Sequence, residues 1–368
     1  MNRYKDRRAK LIGSIDADAF LVFDLDRVLP RNIDHENLFY LTGYTGEGAL
    51  FVCQDQAILL TDSRYIEQAS KEAPDLTLHH AEGDYLAEIA RVIQEKRIQR
   101  LAFASRRMPL FIVKKLGEIP GIELVPTDDP VRKIRAIKDG DEIELIRKAT
   151  KISEEALADL IEEIEPGMNE VDIAFRFDLL MRKKGADRSS FDIIVASGPN
   201  SSLPHYRPSL GRRTLNVGDL LLLDFGAVVE EYCSDMTRTF AVGKATGKQQ
   251  DVYDWVLKAT EASLSKLRAG VPGQEVYQAA VDVIGGSPYK DYMFLSTVGH
   301  GVGLEVHELP RLGLDPVILE PGMVVTIEPG IYIPGFGGVR IEELAVVTED
   351  GYELLTGFPC HQLVEIGR

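Results

Sequence analysis

Short apolar runs alternate with amphipathic stretches over residues 1–126. Runs of four or five apolar residues between polar segments are typical of buried strands, whereas apolar residues that recur every three or four positions indicate helices. Alternation of the two predicts an α/β domain. The predicted strands are Ala19–Phe23, Ala49–Cys53, Ala57–Leu60, Leu101–Ala104 and Ile122–Val125, and the predicted helices are Arg64–Lys71, Tyr85–Glu95 and Leu110–Gly117.

A polar segment with a proline, Thr127–Pro130, interrupts this pattern and is typical of a domain boundary. The chain has 368 residues, a length that favours two domains. We therefore predict an α/β N-terminal domain, residues 1–130, and a second domain, residues 131–368.

The second domain begins with helices and continues mainly with strands. Asp141 and Glu144 have the spacing of a capping box and predict the start of a long helix, and Glu170–Lys184 predicts another. From Phe191 onward, apolar strand-like runs dominate. Helices segregated from a largely antiparallel sheet predict the α+β class. Two further helices are predicted near Asp251–Arg268 and Gln274–Ile284.

Two aspartates stand beside apolar strands in the second domain. Asp224 follows Leu220–Leu223, and Asp235 precedes Met236–Val242. If these runs form a hairpin with a two-residue turn at Val229–Glu230, the two carboxylates lie directly opposite each other, about 5 Å apart. Like charges in that position are destabilising, and their burial adds to the cost. The hairpin therefore predicts a cation between the carboxylates, or a proton on one of them.

The composition excludes several classes of function. A net charge of −16 disfavours a nucleic-acid partner. No apolar run approaches the roughly 20 residues of a membrane span, and no signal-peptide segment follows the basic first residues. Cys53, Cys233 and Cys360 are few and widely spaced, which predicts reduced thiols and a cytoplasmic protein. Cys233 is interpreted as a small strand residue, with a soft metal ligand as the alternative.

Histidines supply further candidates for chemistry. His300 has glycines on both sides within Gly299–Gly303, and His307 follows seven residues later. Glycines allow the backbone to approach another group closely and leave the imidazole unshielded. His300 is therefore a candidate metal ligand, with a satisfied core histidine as the alternative. The remaining histidines outside the segment around His205 lack such a context; they are His35, His79, His80 and His361.

Glutamates interrupt apolar strands in the same manner as the aspartates. Glu328 follows Val324–Ile327 and precedes a Pro-Gly turn, and Glu342 and Glu343 stand within the run from Val339 to Val347. Because side chains alternate along a strand, only one of these two neighbours shares a face with Arg340. Each glutamate alone is typical of a solvated strand end. A buried carboxylate at such a position is costly unless it has a partner.

Together, two aspartates, one histidine and two glutamates predict an oxygen-rich site for divalent cations. Four carboxylates balance two divalent ions. This donor set suits Mn²⁺ foremost, with Co²⁺ and Zn²⁺ as alternatives. Two such ions hold a bridging water and activate it as a hydroxide nucleophile. The residues concerned are Asp224, Asp235, His300, Glu328 and Glu342.

The chain resembles the pita-bread metallopeptidases, and among them the proline-specific branch of prolidase (Xaa-Pro dipeptidase) and aminopeptidase P (Xaa-Pro aminopeptidase). The resemblance extends over nearly the whole chain, with the motifs in the same order. They are NLFYLTGYTGEGAL (37–50), LLTDSRYIEQA (59–69), SGPNSSLPHYRPS (197–209), LDFGAVVEEYCSDMTRTF (223–240), GHGVGLEVHE (299–308), TIEPGIYI (326–333) and GVRIEE (338–343).

The resemblance implies a role for each ligand. Asp224 should chelate one metal ion, while Asp235 and Glu342 should bridge both. His300 and Glu328 should complete the coordination of the other ion, and Glu328 should also act as a base beside the bridging hydroxide.

Further roles are implied for residues around the metals. His205 and His307 should bind and protonate the substrate as the tetrahedral intermediate collapses, and Arg340 should orient the bridging carboxylates. An imidazole within hydrogen-bond reach can act as such an acid. The implied substrate-binding residues are Phe191 and Val306 in a proline pocket and Arg311 at a substrate carboxylate.

The implied fold is a creatinase-like α/β N-terminal domain followed by an α+β pita-bread catalytic domain. The implied protein is a cytoplasmic homodimer that acts on short proline-containing peptides, and it contacts neither nucleic acid nor membrane. The polar stretch Arg27–Glu36 departs from the family pattern and is interpreted as a loop at the dimer interface or the substrate entrance. Dipeptidase and aminopeptidase activities both stay open, because they share the metal site.

Three alternatives are weighed against this interpretation. A creatinase-like or other C–N hydrolase has the same fold but need not retain the metal ligands, all of which are present here. A methionine aminopeptidase commonly lacks the N-terminal domain. A non-catalytic interaction protein on this fold usually loses ligands or histidines.

Overall fold

The computed structural model describes residues 3–25, 34–293, 296–314 and 316–367. The chain divides into two compact units, Met1–Arg135 and Ala136–Arg368. Within the described ranges, no helix combines the length and the apolar character needed to cross a membrane. Most of the Arg27–Glu36 stretch, residues 27–33, lies outside the described residues.

The first unit is an α/β domain. Its elements are α1 (Arg3–Gly13), β1 (Ala19–Asp24), α2 (His35–Thr42), β2 (Gly48–Cys53), β3 (Ala57–Thr61), α3 (Ile66–Glu72), β4 (Thr77–His80), α4 (Tyr85–Glu95), β5 (Arg100–Ala104), α5 (Leu110–Leu116), β6 (Glu123–Thr127) and α6 (Pro130–Arg135). The described strands form a six-stranded mixed sheet in the order β4-β3-β2-β1-β5-β6. The central strand β1 is buried along its whole length, as expected for a strand with apolar residues on both faces.

The second unit contains helices and mostly antiparallel strands, as the α+β pattern predicts. The helices are α7 (Gly140–Glu163), α8 (Glu170–Lys183), α9 (Pro208–Gly211), α10 (Gly247–Leu264) and α11 (Gly273–Gly285), with 3₁₀ turns at Gly198–Ser202 and Lys290–Tyr292. The strands are β7 (Arg188–Ser189), β8 (Ile194–Ser197), β9 (Leu220–Phe225), β10 (Ala227–Val229), β11 (Tyr232–Cys233), β12 (Met236–Val242), β13 (Thr297–Gly301), β14 (Glu308–Gly313), β15 (Val324–Ile327), β16 (Gly330–Ile333), β17 (Gly337–Arg340), β18 (Glu343–Val347), β19 (Tyr352–Leu354) and β20 (Val364–Ile366).

Two larger sheets organise the described part of this unit. One has the strand order β20-β12-β9-β8 and the other β14-β13-β15-β18-β19. Alternation along β9 separates two environments: Leu221 and Leu223 pack in the core that includes residues of α7 and α8, whereas Leu222 belongs to a separate cluster with Ala196 and Tyr206. Asp224 shares the face of Leu222, because side chains repeat every two residues along a strand.

The hairpin differs from its predicted register. Asp224 lies opposite Thr237, not Asp235. The tight turn is at Glu230 and Glu231, which have φ values of +49° and +71°, as a type I′ turn requires at both central positions. The carboxylate of Asp187 accepts a hydrogen bond of 2.8 Å from the Glu230 backbone N–H and so favours this turn.

The start of α7 also differs from its prediction. The capping box is formed by Asp139 and Glu142, not by Asp141 and Glu144. The Asp139 carboxylate accepts from the Glu142 backbone N–H at 3.0 Å, and the Glu142 carboxylate accepts from the Asp139 N–H at 2.9 Å. Both pairs have the same sequence spacing, so spacing alone cannot choose between them.

Candidate metal centre

Strands of the two larger sheets, and residues directly beside them, carry the five predicted ligands. Asp224 lies on β9, and Asp235 immediately precedes β12 in the same sheet. His300 lies on β13, and Glu328 immediately follows β15, its neighbour in the other sheet. Glu342 stands between β17 and β18.

The structure brings these side chains together. Asp235, His300 and Glu342 each offer a ligand atom, and the three atoms lie within 4.8 Å of one another. The Nε2 atom of His300 is 3.6 Å from Oδ2 of Asp235 and 3.3 Å from Oε1 of Glu328. Among the described residues, this is the group whose donor atoms could hold a metal ion.

Glycines on both sides of His300 permit the close approach of neighbouring strands. A Cβ atom on Gly299 would lie 1.8 Å from the carbonyl oxygen of Thr326, and one on Gly301 would lie 2.0 Å from that of Leu309. Such contacts are far shorter than van der Waals distances, so a larger residue would displace the backbone. The His300 N–H also donates to the Thr326 hydroxyl at 3.1 Å.

Arg340 links the carboxylates through a buried network. It donates from Nη2 to Asp224, from Nη1 to the Tyr332 hydroxyl at 2.9 Å, and from Nε to the Thr237 hydroxyl at 2.9 Å. The Thr237 hydroxyl in turn donates to Oε2 of Glu342 at 2.7 Å. One guanidinium thus reaches two carboxylates, one directly and one through a hydroxyl, in keeping with its fixed fork of donors.

Sequence reasoning missed Thr237 and Tyr332. A signal for Thr237 exists: it stands two residues after Asp235, so strand alternation places it on the same face. Tyr332 stands four residues after Glu328, beyond a Pro-Gly turn, and no periodicity connects the two.

Burial and mutual repulsion shift the acidic groups. Burial raises the pKa of Asp224 above its usual range, although Arg340 opposes the shift. Burial raises the pKa of Asp235 further, with added repulsion from Glu342. Burial and then repulsion from Glu328 raise the pKa of Glu342 to about 8. The carboxylates of the cluster thus carry more negative charge than the side chains of Arg340 and His300 balance.

The histidines at the centre differ from each other. Burial alone would favour neutral His300, yet the hydrogen bond with Glu328 and the nearby carboxylates raise the His300 pKa. Burial would raise the pKa of Glu328, but the same hydrogen bond and the charges of His300 and Arg340 together lower it. The ring of His307 packs edge-to-face on His300, with centroids 4.3 Å apart. Partial desolvation and the nearby His300 lower the pKa of His307 to about 4, so its ring is neutral at neutral pH.

Two buried carboxylate oxygens without hydrogen-bond partners in the described part of the chain indicate whether a cation fits the cluster. Oδ1 of Asp224 and Oε1 of Glu342 are buried and have no hydrogen-bond partner among the described residues. An unpaired buried carboxylate oxygen is costly. A divalent cation satisfies such atoms, and an oxygen-rich set with one imidazole suits hard or borderline ions. The residues present therefore fit a metal site.

The other predicted site residues occupy varied positions. His205 and Arg311 are exposed, and both influence the pKa of His307. The backbone of Arg311 pairs with that of His300 across β13 and β14. Val306 is half-buried beside His307.

Phe191 lines a cleft of about 580 Å³. Val306 and Arg311 are not among the residues that line it, so a pocket shared by all three stays a prediction. The cleft is lined by Val171, Ala174, Phe175, Asp178, Arg182, Arg188, Ser189, Phe191, Asp192, Ile193, Tyr206, Arg207, Pro208 and Ser209.

Cys233 lies on β11 and is buried. Its Sγ is 3.6 Å from the carbonyl oxygen of Leu304, and burial raises the pKa of the thiol. The group of donor atoms around His300 does not include it. This position agrees with the interpretation of Cys233 as a small strand residue.

Two family models match the chain. The model of metallopeptidase family M24 matches residues 144–349, and the model of the creatinase/prolidase N-terminal domain matches residues 6–137. The first match contains all five residues of the predicted ligand set. Both matches confirm the predicted fold class.

Relatives and solved structures agree with these matches. The chain is 36% identical to the Xaa-Pro dipeptidase of Pyrococcus furiosus, over 96% of this chain and 98% of that protein. It is similar to a Xaa-Pro dipeptidase from Bacillus anthracis, with a TM-score of 0.92, 36% identity, and coverage of 99% and 100% of the two chains. It is equally similar in fold to an X-Pro aminopeptidase from Thermotoga maritima, with a TM-score of 0.91, 34% identity, and coverage of 98% and 100%. The chain therefore belongs to metallopeptidase family M24, with a creatinase/prolidase N-terminal domain.

Proposed function

We propose that this metallopeptidase hydrolyses the bond between a residue and a following proline, in dipeptides or at the N-terminus of short peptides. The observation that carries the proposal is the cluster of Asp235, Glu342 and His300 donor atoms within 4.8 Å of one another. Glu328 lies 3.3 Å from His300, and buried carboxylate oxygens of Asp224 and Glu342 have no hydrogen-bond partner among the described residues. Similar proteins named as Xaa-Pro dipeptidase and X-Pro aminopeptidase support the choice of bond.

The ligands would hold two divalent ions, Mn²⁺ foremost and Co²⁺ or Zn²⁺ as alternatives. Asp224 would chelate one ion, His300 and Glu328 the other, and Asp235 and Glu342 would bridge them. Two observations support this division. One oxygen atom each of Asp235 and Glu342 lies within 4.8 Å of a ring nitrogen of His300. Asp224 is close enough to raise the pKa of both bridging carboxylates.

When bound, the ions polarise the scissile carbonyl and lower the pKa of water. Glu328 would receive the proton; the 25% exposure of its side chain and its contact with His300 at 3.3 Å support this role. Its lowered pKa makes the carboxylate available as a base.

His307 and His205 would bind the substrate and supply a proton as the intermediate collapses. The lowered pKa keeps His307 neutral, with one donor and one acceptor nitrogen, so its ring would donate a hydrogen bond to the substrate and the proton would come from His205. His205 is exposed and near enough to His307 to contribute to this shift. Arg340 would hold Asp224 and, through Thr237, Glu342 in their ligating positions.

Recognition of proline depends on an apolar pocket that matches the shape of its ring, because the Xaa-Pro bond has no N–H to donate. Phe191 and Val306 would line the pocket for the ring, and the exposed guanidinium of Arg311 would meet the substrate carboxylate. Its backbone pairs with His300, which keeps Arg311 near the centre.

The proposal includes a homodimer in the cytoplasm. The described cysteines are all free thiols, which agrees with a reducing compartment. Light scattering during gel filtration measures the mass of the particle and tests the dimer directly.

Peptide cleavage by the purified chain tests the function. The metal-free protein is supplied with Mn²⁺ and assayed on Ala-Pro and on Ala-Pro-Ala, with Ala-Ala and Ala-Ala-Ala as matched controls. We expect cleavage before proline and at least about a hundredfold lower kcat/KM on the controls. The control peptides lack the proline ring, so their transition states lose several kcal/mol of binding energy in the pocket. Cleavage of Ala-Pro alone identifies a dipeptidase, and cleavage of Ala-Pro-Ala an aminopeptidase. No cleavage of either peptide by protein with bound metal contradicts the proposal.

A further inference from the structure

The carboxylate of Glu170 is buried without any exposed surface at the first turn of α8. It accepts hydrogen bonds from the Ser197 N–H at 2.7 Å and the Ser197 hydroxyl at 2.6 Å. It also accepts from Nδ2 of Asn200 at 3.1 Å and from the Tyr206 hydroxyl at 2.8 Å. A buried carboxylate with this many donors is held firmly in one orientation.

All of these donors belong to one segment, residues 197–206, which begins at the end of β8. The segment carries His205, and Tyr206 is the next residue. Glu170 therefore binds the chain at its start, at its middle and immediately after His205. Tyr206 also packs against Ala196 and Leu222, so its ring and its hydroxyl are both fixed.

The other side of the same segment is attached to the metal centre. The carbonyl oxygen of Pro204 accepts from Nη1 of Arg340 at 3.3 Å. The Ser201 hydroxyl accepts from the Gly338 N–H at 2.8 Å, two residues before Arg340 on β17. His205 itself is exposed. It thus stands between a residue bound by Arg340 and a residue bound by Glu170.

We infer that Glu170 is a positioning residue for His205: acting through Tyr206 and Asn200, it fixes the backbone from which the imidazole reaches the substrate. The inference rests on the proposed function, because the role of His205 is part of that proposal. Small displacements of a group that contacts substrate reduce turnover strongly. The removal of Glu170 should therefore reduce turnover without removing metal.

A double-mutant cycle separates positioning from general destabilisation. Glu170→Gln replaces one carboxylate oxygen, an acceptor, with an amide NH2 group, a donor, among the donors of Tyr206 and Asn200. The change should lower kcat on an Xaa-Pro peptide about tenfold or more. In a His205→Ala background the same change should lower kcat no further, because the group that it positions is gone. Metal content per chain should equal that of the unmutated protein. Ser202→Ala is the matched control, since its hydroxyl donates to the Pro199 carbonyl in the same segment and to no other acceptor among the residues that the structure describes.

A second variant protects the test against misfolding. Tyr206→Phe deletes one hydroxyl, keeps the ring in its apolar cluster, and should reproduce the loss of turnover. The ring signals of His205 in an NMR spectrum of histidine-labelled protein, assigned by their loss in His205→Ala, should shift in Glu170→Gln and in Tyr206→Phe and stay unchanged in Ser202→Ala. Equal losses from Glu170→Gln in both backgrounds, or an unshifted His205 signal, overturn the inference. An inactive unmutated protein refutes the proposed function instead, and the NMR signals still decide on Glu170.

Discussion

The hydroxyl of Thr237 donates a hydrogen bond of 2.7 Å to Oε2 of Glu342. A hydroxyl has a single proton, and this one is directed to the carboxylate because Nε of Arg340 occupies the acceptor side at 2.9 Å. Oε2 of Glu342 is therefore fixed, and Oε1 is left buried without a partner. The threonine thus orients the carboxylate for a cation.

Replacement of Thr237 tests this orientation. Thr237→Val keeps the shape but removes both hydrogen bonds, so it should weaken metal binding about 10- to 100-fold, as is typical for groups that orient a ligand. Thr237→Ser retains the hydroxyl and should bind metal nearly as well as the unmutated chain. Calorimetric titration with Mn²⁺ measures both affinities. Equal affinities for the valine and serine variants would show that the hydroxyl is dispensable.

Asp235→Asn should remove at least one metal ion per chain. A neutral amide has one acceptor oxygen and cannot bridge two cations, and its amino group would face Glu342 and His300. Asp172→Asn on α8 serves as the control, because it removes the same charge from an exposed residue outside the group of donor atoms around His300. Elemental analysis after dialysis gives the metal content. Full occupancy in Asp235→Asn would exclude a bridging role.

His205→Ala should leave metal content unchanged and lower turnover. The imidazole is exposed and is not among the donor atoms grouped around His300, so metal binding does not need it. Loss of a positioned acid typically costs about 10²–10⁴-fold in rate. Full activity of the variant on Ala-Pro and Ala-Pro-Ala would refute the proposal that His205 supplies a proton to the substrate.

The stabilisation by metal should increase with pH. Burial and repulsion raise the pKa of Glu342 to about 8 in the folded chain, above the ordinary carboxylate value. The folded metal-free chain thus holds a proton that the unfolded chain has lost, so this site loses stability as the pH rises toward about 8. A metal ion replaces the proton and removes the penalty. The rise in Tm on addition of Mn²⁺ should be larger at about pH 8 than at about pH 6, and an equal or smaller rise would contradict the assignment.

Local signals predicted some elements well. The helix Tyr85–Glu95 has the same bounds in sequence and structure, because a periodic apolar face coincides with a capping Asp84. Helix α1 was missed, because its sequence is strongly polar. Its Arg7 and Arg8 are nevertheless buried, and they donate to the carbonyl oxygens of Tyr40 and Leu41. Such distant partners are invisible in a local pattern.

The aspartate pair shows how a wrong register can preserve a correct site. The observed turn shifts the pairing by two residues, so Asp224 faces Thr237. A shift of two leaves every side chain on the same face, whereas a shift of one would have turned Asp235 away. The carboxylates therefore still converge, diagonally instead of directly. The turn itself depends on Asp187, forty-three residues before Glu230, which no hairpin rule contains.

Titration of the metal-free chain with Mn²⁺ tests the central claim most directly, namely that Asp224, Asp235, His300, Glu328 and Glu342 hold two divalent ions. Calorimetry gives the number of ions bound per chain, and activity on Ala-Pro followed in parallel links each ion to function. We predict two ions per chain, with activity restored as the sites fill. One ion or none, at saturating Mn²⁺ in a folded chain, would contradict the account.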